Sequence, residues 1–347
     1  MQLTTRQQNI ITIVENQLKV SISQIKSELQ EEISMPTLNR EMASLVSKNY
    51  LLKIGQGRST AYQIAPTYRL LNPIVLSDYF EEDPDTRKAI TIFNPNLFPV
   101  LEEVDILFPE EKKYLNTLQQ NYQDNRNSLS PVLYRKELER LTIELSWKSS
   151  QIEGNTYSLL ETERLFLEKE EAAEKPHEDA VMLLNHKYAL NYLLENRDIG
   201  KIVDLRLLED VHTLLIKDLG VSRNIRSRPV GITGTSYKPI DNKFQIREAI
   251  EKMCTLINRK ENIFEKALLA VVLISYIQPF EDGNKRTGRM VSNALLIAGG
   301  ACPLSYRSID SLEYKKAMLL FYEQNSLFAF KKIFIEQNEF SVKNYFS

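Results

Sequence analysis

The sequence has few of the residues from which a disulfide framework or a cysteine- and histidine-rich metal site is built. Its 347 residues include two cysteines and three histidines, which are too few for either. We expect both cysteines, Cys254 and Cys302, to be reduced core residues. No apolar run reaches the roughly 18 residues of a membrane-spanning helix, and the polar N-terminus does not resemble a signal peptide. These absences argue against a disulfide-rich secreted domain and a membrane protein, so we expect a cytoplasmic protein.

The sequence also has no excess of charge of one sign. The formal net charge is −2, with 43% hydrophobic and 26% charged residues, which is the composition of an ordinary globular protein. Since the whole chain does not attract polyanions, binding to nucleic acid or to an anionic surface would need a local basic patch. The length allows two or three domains.

Residues 1–65 have the pattern of a small domain. Apolar spacing, helix caps and a glycine-containing turn predict three helices and a hairpin, over residues 5–15, 23–29, from Pro36 after a Ser34 cap, and 50–54 with 60–64. This order resembles a winged helix-turn-helix domain. The resemblance implies that the third helix enters the major groove of DNA and that the hairpin contacts the backbone.

The resemblance also names candidate DNA contacts. It implies that Thr37, Asn39 and Arg40 face bases, and that Lys53 and Arg58 lie near phosphates. The seven basic and five acidic residues of this segment form a weak electrostatic footprint for DNA. A winged helix that binds protein or only packs is the alternative.

The rest of the chain divides into a short linker and a long helical region. Residues 66–95 contain four prolines and the acidic run 81–83, and we predict a linker there. From 96 to 347 we predict helices over 109–126, 131–152, 158–173, 177–195, 203–217, 244–258, 261–277, 284–299 and 309–343. Glycines and β-branched residues between 226 and 239 predict a short hairpin. The fold class expected from these patterns is mainly α, a helical bundle with one small β element.

The segment 278–289, Gln-Pro-Phe-Glu-Asp-Gly-Asn-Lys-Arg-Thr-Gly-Arg, has the composition of a phosphate-binding loop. Gly283 permits a tight turn between an apolar helix and the next helix, whose first amide groups can bind an anion. Arg286 and Arg289 lie one turn apart and can both bind phosphate oxygens. Asp282, just before the helix, is well placed to hold a Mg²⁺ ion that bridges phosphates.

This segment resembles the signature of Fic-domain proteins, His-x-Phe-x-(Asp/Glu)-Gly-Asn-(Gly/Lys)-Arg-x-x-Arg, and the resemblance extends over roughly residues 100–340. It implies an all-α bundle with a hairpin flap, and transfer of AMP from ATP to a Tyr, Ser or Thr hydroxyl of a protein. It implies that Asp282 holds Mg²⁺ and that the nucleotide is bound by Gly283, Asn284, Lys285, Arg286, Gly288 and Arg289. The implied flap, 228–239, would pair with the main chain of the target through Val230, Gly231, Ile232, Thr233 and Gly234.

A second motif lies at the end of the helix predicted over about 131–153. The sequence Ser-Ser-Gln-Ile-Glu-Gly, residues 149–154, resembles the inhibitory motif (Ser/Thr)-x-x-x-Glu-(Gly/Asn) of many Fic proteins, with Ser149, Glu153 and Gly154 in its three defined positions. The resemblance implies that Glu153 pairs with Arg289 and occupies the place of the γ-phosphate. A capping or solvent-facing glutamate is the alternative.

Two positions depart from the family pattern. Gln278 stands where the family has its base histidine, and an amide cannot accept a proton. The chain is then a degenerate Fic protein that binds nucleotide and regulates DNA, an enzyme that relies on slow positional catalysis, or a chain whose histidine was replaced. We do not expect His212 to substitute as the base. A lysine also stands at the position of Lys285 in Doc toxins, which phosphorylate proteins. Phosphate transfer is therefore an alternative to the favoured AMP transfer. The sequence also leaves open whether the chain forms a homodimer.

Overall fold

The chain divides into two units, residues 1–73 and 74–347. The structure, a computed structural model, describes residues 3–17 and 19–346, except for the side chain of Arg58. The boundary after Pro73 corrects the predicted linker 66–95. Residues Pro66–Leu71 form a helix whose Tyr68 is buried in the core of the first unit, and the residues from Ile74 onward belong to the second unit.

The first unit has three helices, a two-stranded sheet and a fourth helix: α1 (Thr5–Glu15), α2 (Ile22–Glu28), α3 (Met35–Ser47), β1 (Leu51–Ile54), β2 (Ala61–Ile64) and α4 (Pro66–Leu71). The side chains of Thr4, Ser21 and Ser34 each accept a hydrogen bond from a backbone amide in the first turn of the helix that follows, as N-cap residues do. The strands are antiparallel with Leu51 opposite Ile64. The predicted three helices and hairpin are therefore confirmed.

The second unit is almost entirely helical. Its helices are α5 (Leu76–Tyr79), α6 (Leu97–Glu103), α7 (Pro109–Ser128), α8 (Pro131–Ile152), α9 (Leu159–Glu168), α10 (His177–Glu195), α11 (Leu205–Leu215), α12 (Lys243–Arg259), α13 (Ile263–Ile277), α14 (Asn284–Ala298), α15 (Ser311–Gln324) and α16 (Phe328–Asn344). The predicted helix 309–343 is wrong as a single element. It is divided into α15 and α16 because Asn325 has a left-handed backbone, with φ +52°, which ends a helix.

The centre of the second unit is the packed pair α13 and α14. All residues of α13 from Phe264 to Ile277 are buried apart from Lys266, as its nearly uniform apolar sequence requires. Gly288 permits the close approach of α14, because a Cβ atom there would lie 3.0 Å from the carbonyl oxygen of Val271. Gly288 thus lies on the helix-packing face, and its role in nucleotide binding stays a prediction.

The predicted hairpin over 226–239 is wrong. Within the described residues the only sheet is β1 with β2, and residues 228–239, the flap segment, form an irregular loop with a turn at Thr233 and Gly234. Its one bridge is parallel and joins Lys238 to Ile92. The flap segment therefore pairs with residues 80–95, which we call the strap, and not with itself.

The second unit offers no candidate membrane span. Even α13, the most apolar helix described, has 15 residues, and across the described residues every helix is too short or too polar to cross a bilayer.

Candidate nucleotide-binding site

The loop between α13 and α14 is shaped by two left-handed residues. Gln278 ends α13 with φ +52° and Gly283 precedes α14 with φ +79°. A Cβ atom at Gly283 would lie 3.2 Å from Cγ2 of Ile216, so both the backbone angle and the space favour glycine. This turn directs the first amides of α14 toward a cavity, as expected for an anion site at a helix start.

Asn284 holds the loop closed with its side chain. Its Oδ1 accepts the amide of Phe280 at 2.8 Å, and its Nδ2 donates to the Phe280 carbonyl at 2.8 Å and to Oε1 of Gln278 at 2.9 Å. The side chain of Asn284 therefore makes its hydrogen bonds within the loop. The groups at the start of α14 that could bind a phosphate are the backbone amides.

Gln278 is tied into the same loop. Its Nε2 donates to the Ser275 carbonyl at 2.7 Å, and its own carbonyl accepts from Nε of Arg226 at 2.6 Å. The side chain is 7% exposed and lines the cavity. It can accept a further hydrogen bond through its amide oxygen, but it cannot take up a proton.

The cavity has a volume of about 630 Å³, which is within the range of ligand pockets. Its wall is formed by the α13–α14 loop, the end of α8, the flap segment and α15. The strap also lines it, through residues that the sequence reasoning missed: Phe80, Glu82, Asp83, Pro84 and Arg87. They were missed because a proline-rich acidic segment reads as a linker.

Arg286 is buried beside Asp282. Its Nη2 donates to Oδ2 of Asp282 at 2.8 Å, and its side chain is 2% exposed while that of Asp282 is 67% exposed. Its Nη1 is buried and has no hydrogen-bond partner within the described part of the chain. A buried guanidinium nitrogen without a partner is costly, and an anion in the cavity would relieve that cost.

Arg289 is held by the inhibitory motif. Its Nη2 donates to Oε1 of Glu153 at 2.8 Å and to the Ser149 carbonyl at 2.8 Å, and its Nε donates to Oγ of Ser149 at 2.9 Å. Lys285 approaches the other carboxylate oxygen, with Nζ 3.3 Å from Oε2 of Glu153. Burial favours the neutral acid, but the charges of Arg289 and Lys285 outweigh it and hold the pKa of Glu153 at about 2. Glu153 is the C-cap residue of α8, as one alternative held, but its side chain is 17% exposed and does not face solvent. Lys285 is engaged by the same carboxylate.

His186 orients Ser149, and no sequence motif indicated this. Its Nδ1 lies 2.9 Å from the carbonyl oxygen of Met182 and its Nε2 lies 2.9 Å from Oγ of Ser149. Burial and the nearby Arg286 lower the pKa of His186 to about 3, so the ring is neutral. In the neutral ring, Nδ1–H donates a hydrogen bond to the Met182 carbonyl, and Nε2 accepts a hydrogen bond from the Ser149 hydroxyl. The Ser149 oxygen is then free to accept the hydrogen bond from Nε of Arg289.

His212 packs against the loop between α13 and α14. Its ring stacks on Phe280 with a centroid distance of 3.7 Å, and its Nε2 lies 3.0 Å from the carbonyl oxygen of Asp282. Burial lowers the pKa of His212 to about 4. His212 is completely buried, and the expectation that it does not act as the base stays a prediction.

The donors of the cavity fit a nucleotide with a magnesium ion. The start of α14 and Arg286 line the cavity as positive groups, and buried Arg289 is bound to Glu153 of its wall. Asp282 is an exposed carboxylate beside Arg286. Within the described residues no group of three or more His, Cys, Asp or Glu side chains could hold a metal. Mg²⁺ commonly binds through one or two carboxylates together with phosphate oxygens, so Asp282 would hold it with a bound nucleotide.

Some of the candidate DNA-contact residues of the first unit are exposed to solvent, and others are not. Asn39, Arg40 and Lys53 are exposed. Thr37 is half-buried, and its hydroxyl lies 2.8 Å from that of Ser34, so it belongs to the helix cap. The side chain of Arg58 lies outside the described part of the chain.

Comparison with known proteins finds one family and several solved structures that this chain is similar to. Residues 202–296 match the model of the Fic/DOC family. Similar solved structures include Fic-1 (residues 134–508) from C. elegans, at 18% identity over 68% of this chain and 72% of that one, with a TM-score of 0.59. A Fic-domain signalling protein from Bacteroides thetaiotaomicron matches at 16% identity over 66% and 96%, with a TM-score of 0.53. A Fic family protein from Desulfovibrio desulfuricans matches at 18% identity over 68% and 74%, with a TM-score of 0.54. Residues 202–296 are thus similar to Fic/DOC-family domains, and the likeness to the solved structures shows the fold.

Proposed function

We propose that this chain, which carries a Fic/DOC-family domain, is a Fic-type transferase that binds ATP with Mg²⁺ and transfers AMP to a hydroxyl side chain of a protein. The observation that carries the proposal is the pair of buried arginines, Arg286 and Arg289, at the start of α14. Nη1 of each has no hydrogen-bond partner among the described residues, and Nη2 of Arg289 is occupied by Glu153. This arrangement suits a polyphosphate, because charged and bidentate hydrogen bonds to phosphate oxygens are strong.

Each residue has a role in this proposal. The amides from Gly283 to Lys285 bind the α-phosphate, and Arg286 and Arg289 bind the outer phosphates. Asp282 holds Mg²⁺, which neutralises charge on the phosphates when it is bound. The hydroxyl oxygen of the target bonds to the α-phosphorus, the bond from that phosphorus to the bridging oxygen breaks, and pyrophosphate leaves.

The fate of the hydroxyl proton distinguishes this chain from the family pattern. Gln278 can accept a hydrogen bond from the hydroxyl but not its proton, so the proton passes to solvent or to a phosphate oxygen. A positioned base is worth roughly 10²- to 10⁴-fold in rate. We therefore propose slow turnover, which depends on positioning alone.

The enzyme is also proposed to be autoinhibited. The carboxylate of Glu153 occupies Arg289, which would otherwise bind the γ-phosphate. A carboxylate and a phosphate compete for one guanidinium, so ATP binds in a less productive arrangement while Glu153 is in place.

A second candidate is a nucleotide-binding regulator without turnover, joined to a DNA-binding unit. It is favoured by the two hydrogen bonds that occupy the side-chain amide of Gln278 within the loop. DNA as a partner of the first unit, through Asn39 and Arg40, is part of both proposals. A cytoplasmic location stays a prediction.

Labelling experiments separate these functions. The native chain, Glu153→Gly, Gln278→His and the double variant are each incubated with ATP labelled at the α- or the γ-phosphate. AMP transfer predicts α-label on protein, strongest in the double variant and weak in Glu153→Gly. Label from the γ-phosphate only would show phosphate transfer and refute AMP transfer. Label that appears only with histidine at 278 would support the regulator.

A further inference from the structure

Arg87 of the strap is buried between the flap segment and α15. Its Nη2 donates to the carbonyl oxygen of Gly234 at 2.6 Å and to Oε1 of Glu323 at 2.9 Å. The side chains of Arg87 and Glu323 are 5% and 0% exposed. Gly234 lies at the turn of the flap segment, with φ +85°. One buried cation therefore binds both the flap turn and a buried carboxylate.

The orientation of Arg87 is set by Glu323 of α15, which Tyr79 of α5 holds in turn, and by Phe80 of the strap. The second carboxylate oxygen of Glu323 accepts the hydroxyl of Tyr79 at 2.8 Å. The guanidinium lies over the ring of Phe80, 4.7 Å from its centroid, a distance at which a cation and a ring attract. None of these contacts involves the phosphate-binding loop.

The strap also holds the far end of the flap segment. The amide of Lys238 donates to the carbonyl of Thr91 at 2.9 Å, next to the parallel bridge between Ile92 and Lys238. Between the two anchored ends, residues 230–233 make no hydrogen bond to the backbone of another segment within the described part of the chain. The flap segment is thus a free edge fixed at both ends by the strap.

We propose that Arg87 is a positioning residue for the protein target, because it holds the free edge 230–233 at the cavity where the target main chain would pair. The inference rests on the proposed function, since it assigns to Arg87 the placement of the acceptor segment. Loss of Arg87 would release the turn at Gly234 and leave the phosphate-binding loop unchanged.

Spin labelling tests the position of the edge without any need for activity. Thr233→Cys, exposed on the flap segment, takes a nitroxide, while the native cysteines are buried. Thr117→Cys, exposed on α7, is the matched control site. We expect Arg87→Leu to raise the mobile fraction at 233 and not at 117, Arg87→Lys to give a smaller rise, and Arg247→Leu on the exposed face of α12 to give none.

Transfer assays test the consequence in the Glu153→Gly, Gln278→His background. Arg87→Leu should lower AMP transfer to protein about tenfold, the size of one lost hydrogen bond from a charged group, with the Kd for Mg–ATP unchanged within about threefold. Unchanged mobility at 233, equal loosening at 117, or a parallel fall in nucleotide affinity would overturn the inference. A background that transfers no label refutes the proposed function, and the spin-label result still decides whether Arg87 holds the edge.

Discussion

Asn284 donates a hydrogen bond from Nδ2 to Oε1 of Gln278 across 2.9 Å, and this bond closes the phosphate-binding loop at the position where related signatures have a base. Since the nitrogen of the same glutamine amide donates to Ser275, both ends of the side chain stabilise the loop. Gln278 therefore stabilises the loop, and its amide offers no group that can take up a proton.

A histidine at position 278 should restore general-base catalysis. In the Glu153→Gly background we expect Gln278→His to raise AMP transfer by roughly 10²- to 10⁴-fold. The rate should rise with pH around the ordinary imidazole pKa of about 6.5, because only the neutral ring accepts a proton. Gln278→Asn, which keeps an amide, is the control and should show neither change. Equal rates for glutamine and histidine would contradict this role.

Removal of the Glu153 carboxylate should favour ATP over ADP. Because Glu153 occupies Arg289, the native chain should bind the two nucleotides with similar Kd values. Glu153→Gly frees the guanidinium for the γ-phosphate, and we expect ATP to bind about tenfold more tightly, as one charged hydrogen bond allows. Calorimetric titration measures both Kd values, and Glu153→Gln is the isosteric control. An equal gain for ATP and ADP would rule out competition at the γ-phosphate.

The Glu153–Arg289 pair should make stability depend on acidic pH. The folded-state pKa of Glu153, about 2, lies below its ordinary value of 4.5 because of Arg289 and Lys285, against the effect of burial. Its contribution to stability is therefore complete above about pH 4.5 and is lost as the pH falls toward 2. Urea unfolding of native chain and Glu153→Gln should differ at pH 7 by about 3 kcal/mol at most, and the difference should shrink below pH 4.5. A difference independent of pH would refute this linkage.

His186 should tighten the inhibitory contact through Ser149. His186→Phe removes the nitrogen that accepts the hydrogen bond of the Ser149 hydroxyl. The hydroxyl can then rotate, and Nε of Arg289 no longer has an acceptor in a fixed orientation. We expect ATP affinity to rise about fivefold, as for one neutral hydrogen bond, with little change for ADP. Ser149→Ala should produce the same selectivity, and adding His186→Phe to it should change nothing further. Additive effects of the two substitutions would show that they act separately.

The first unit should bind DNA through the exposed face of α3. Arg40→Ala should weaken binding by about 1–3 kcal/mol, measured by gel shift of the full chain at two salt concentrations. Arg6, exposed and paired with Glu31, lies on α1, and Arg6→Ala is the matched control. Binding that does not weaken with salt would argue against phosphate contacts.

Helix positions were predictable where local chemistry decides them. The cap at Ser34, the apolar run of α13 and the glycine at 283 each depend on neighbours in sequence, and the structure has them where the sequence placed them. The division at Asn325 was missed because an asparagine in left-handed conformation carries no distinctive pattern. The strap was missed because the partners of Arg87 are 147 and 236 residues away.

The amino-acid sequence alone determined the turn at Gly283 and the helical class, because turns, caps and hydrophobic periodicity act over a few residues. The motif at 149–154 was indicated by its resemblance to an inhibitory motif. Only the tertiary structure decided what each side chain contacts. It paired Glu153 with Lys285 as well as Arg289, assigned Gly288 to helix packing, and placed the strap against the flap segment. These contacts join segments that are distant in sequence, and they form because packing of α8, α14 and α15 around one core brings them together.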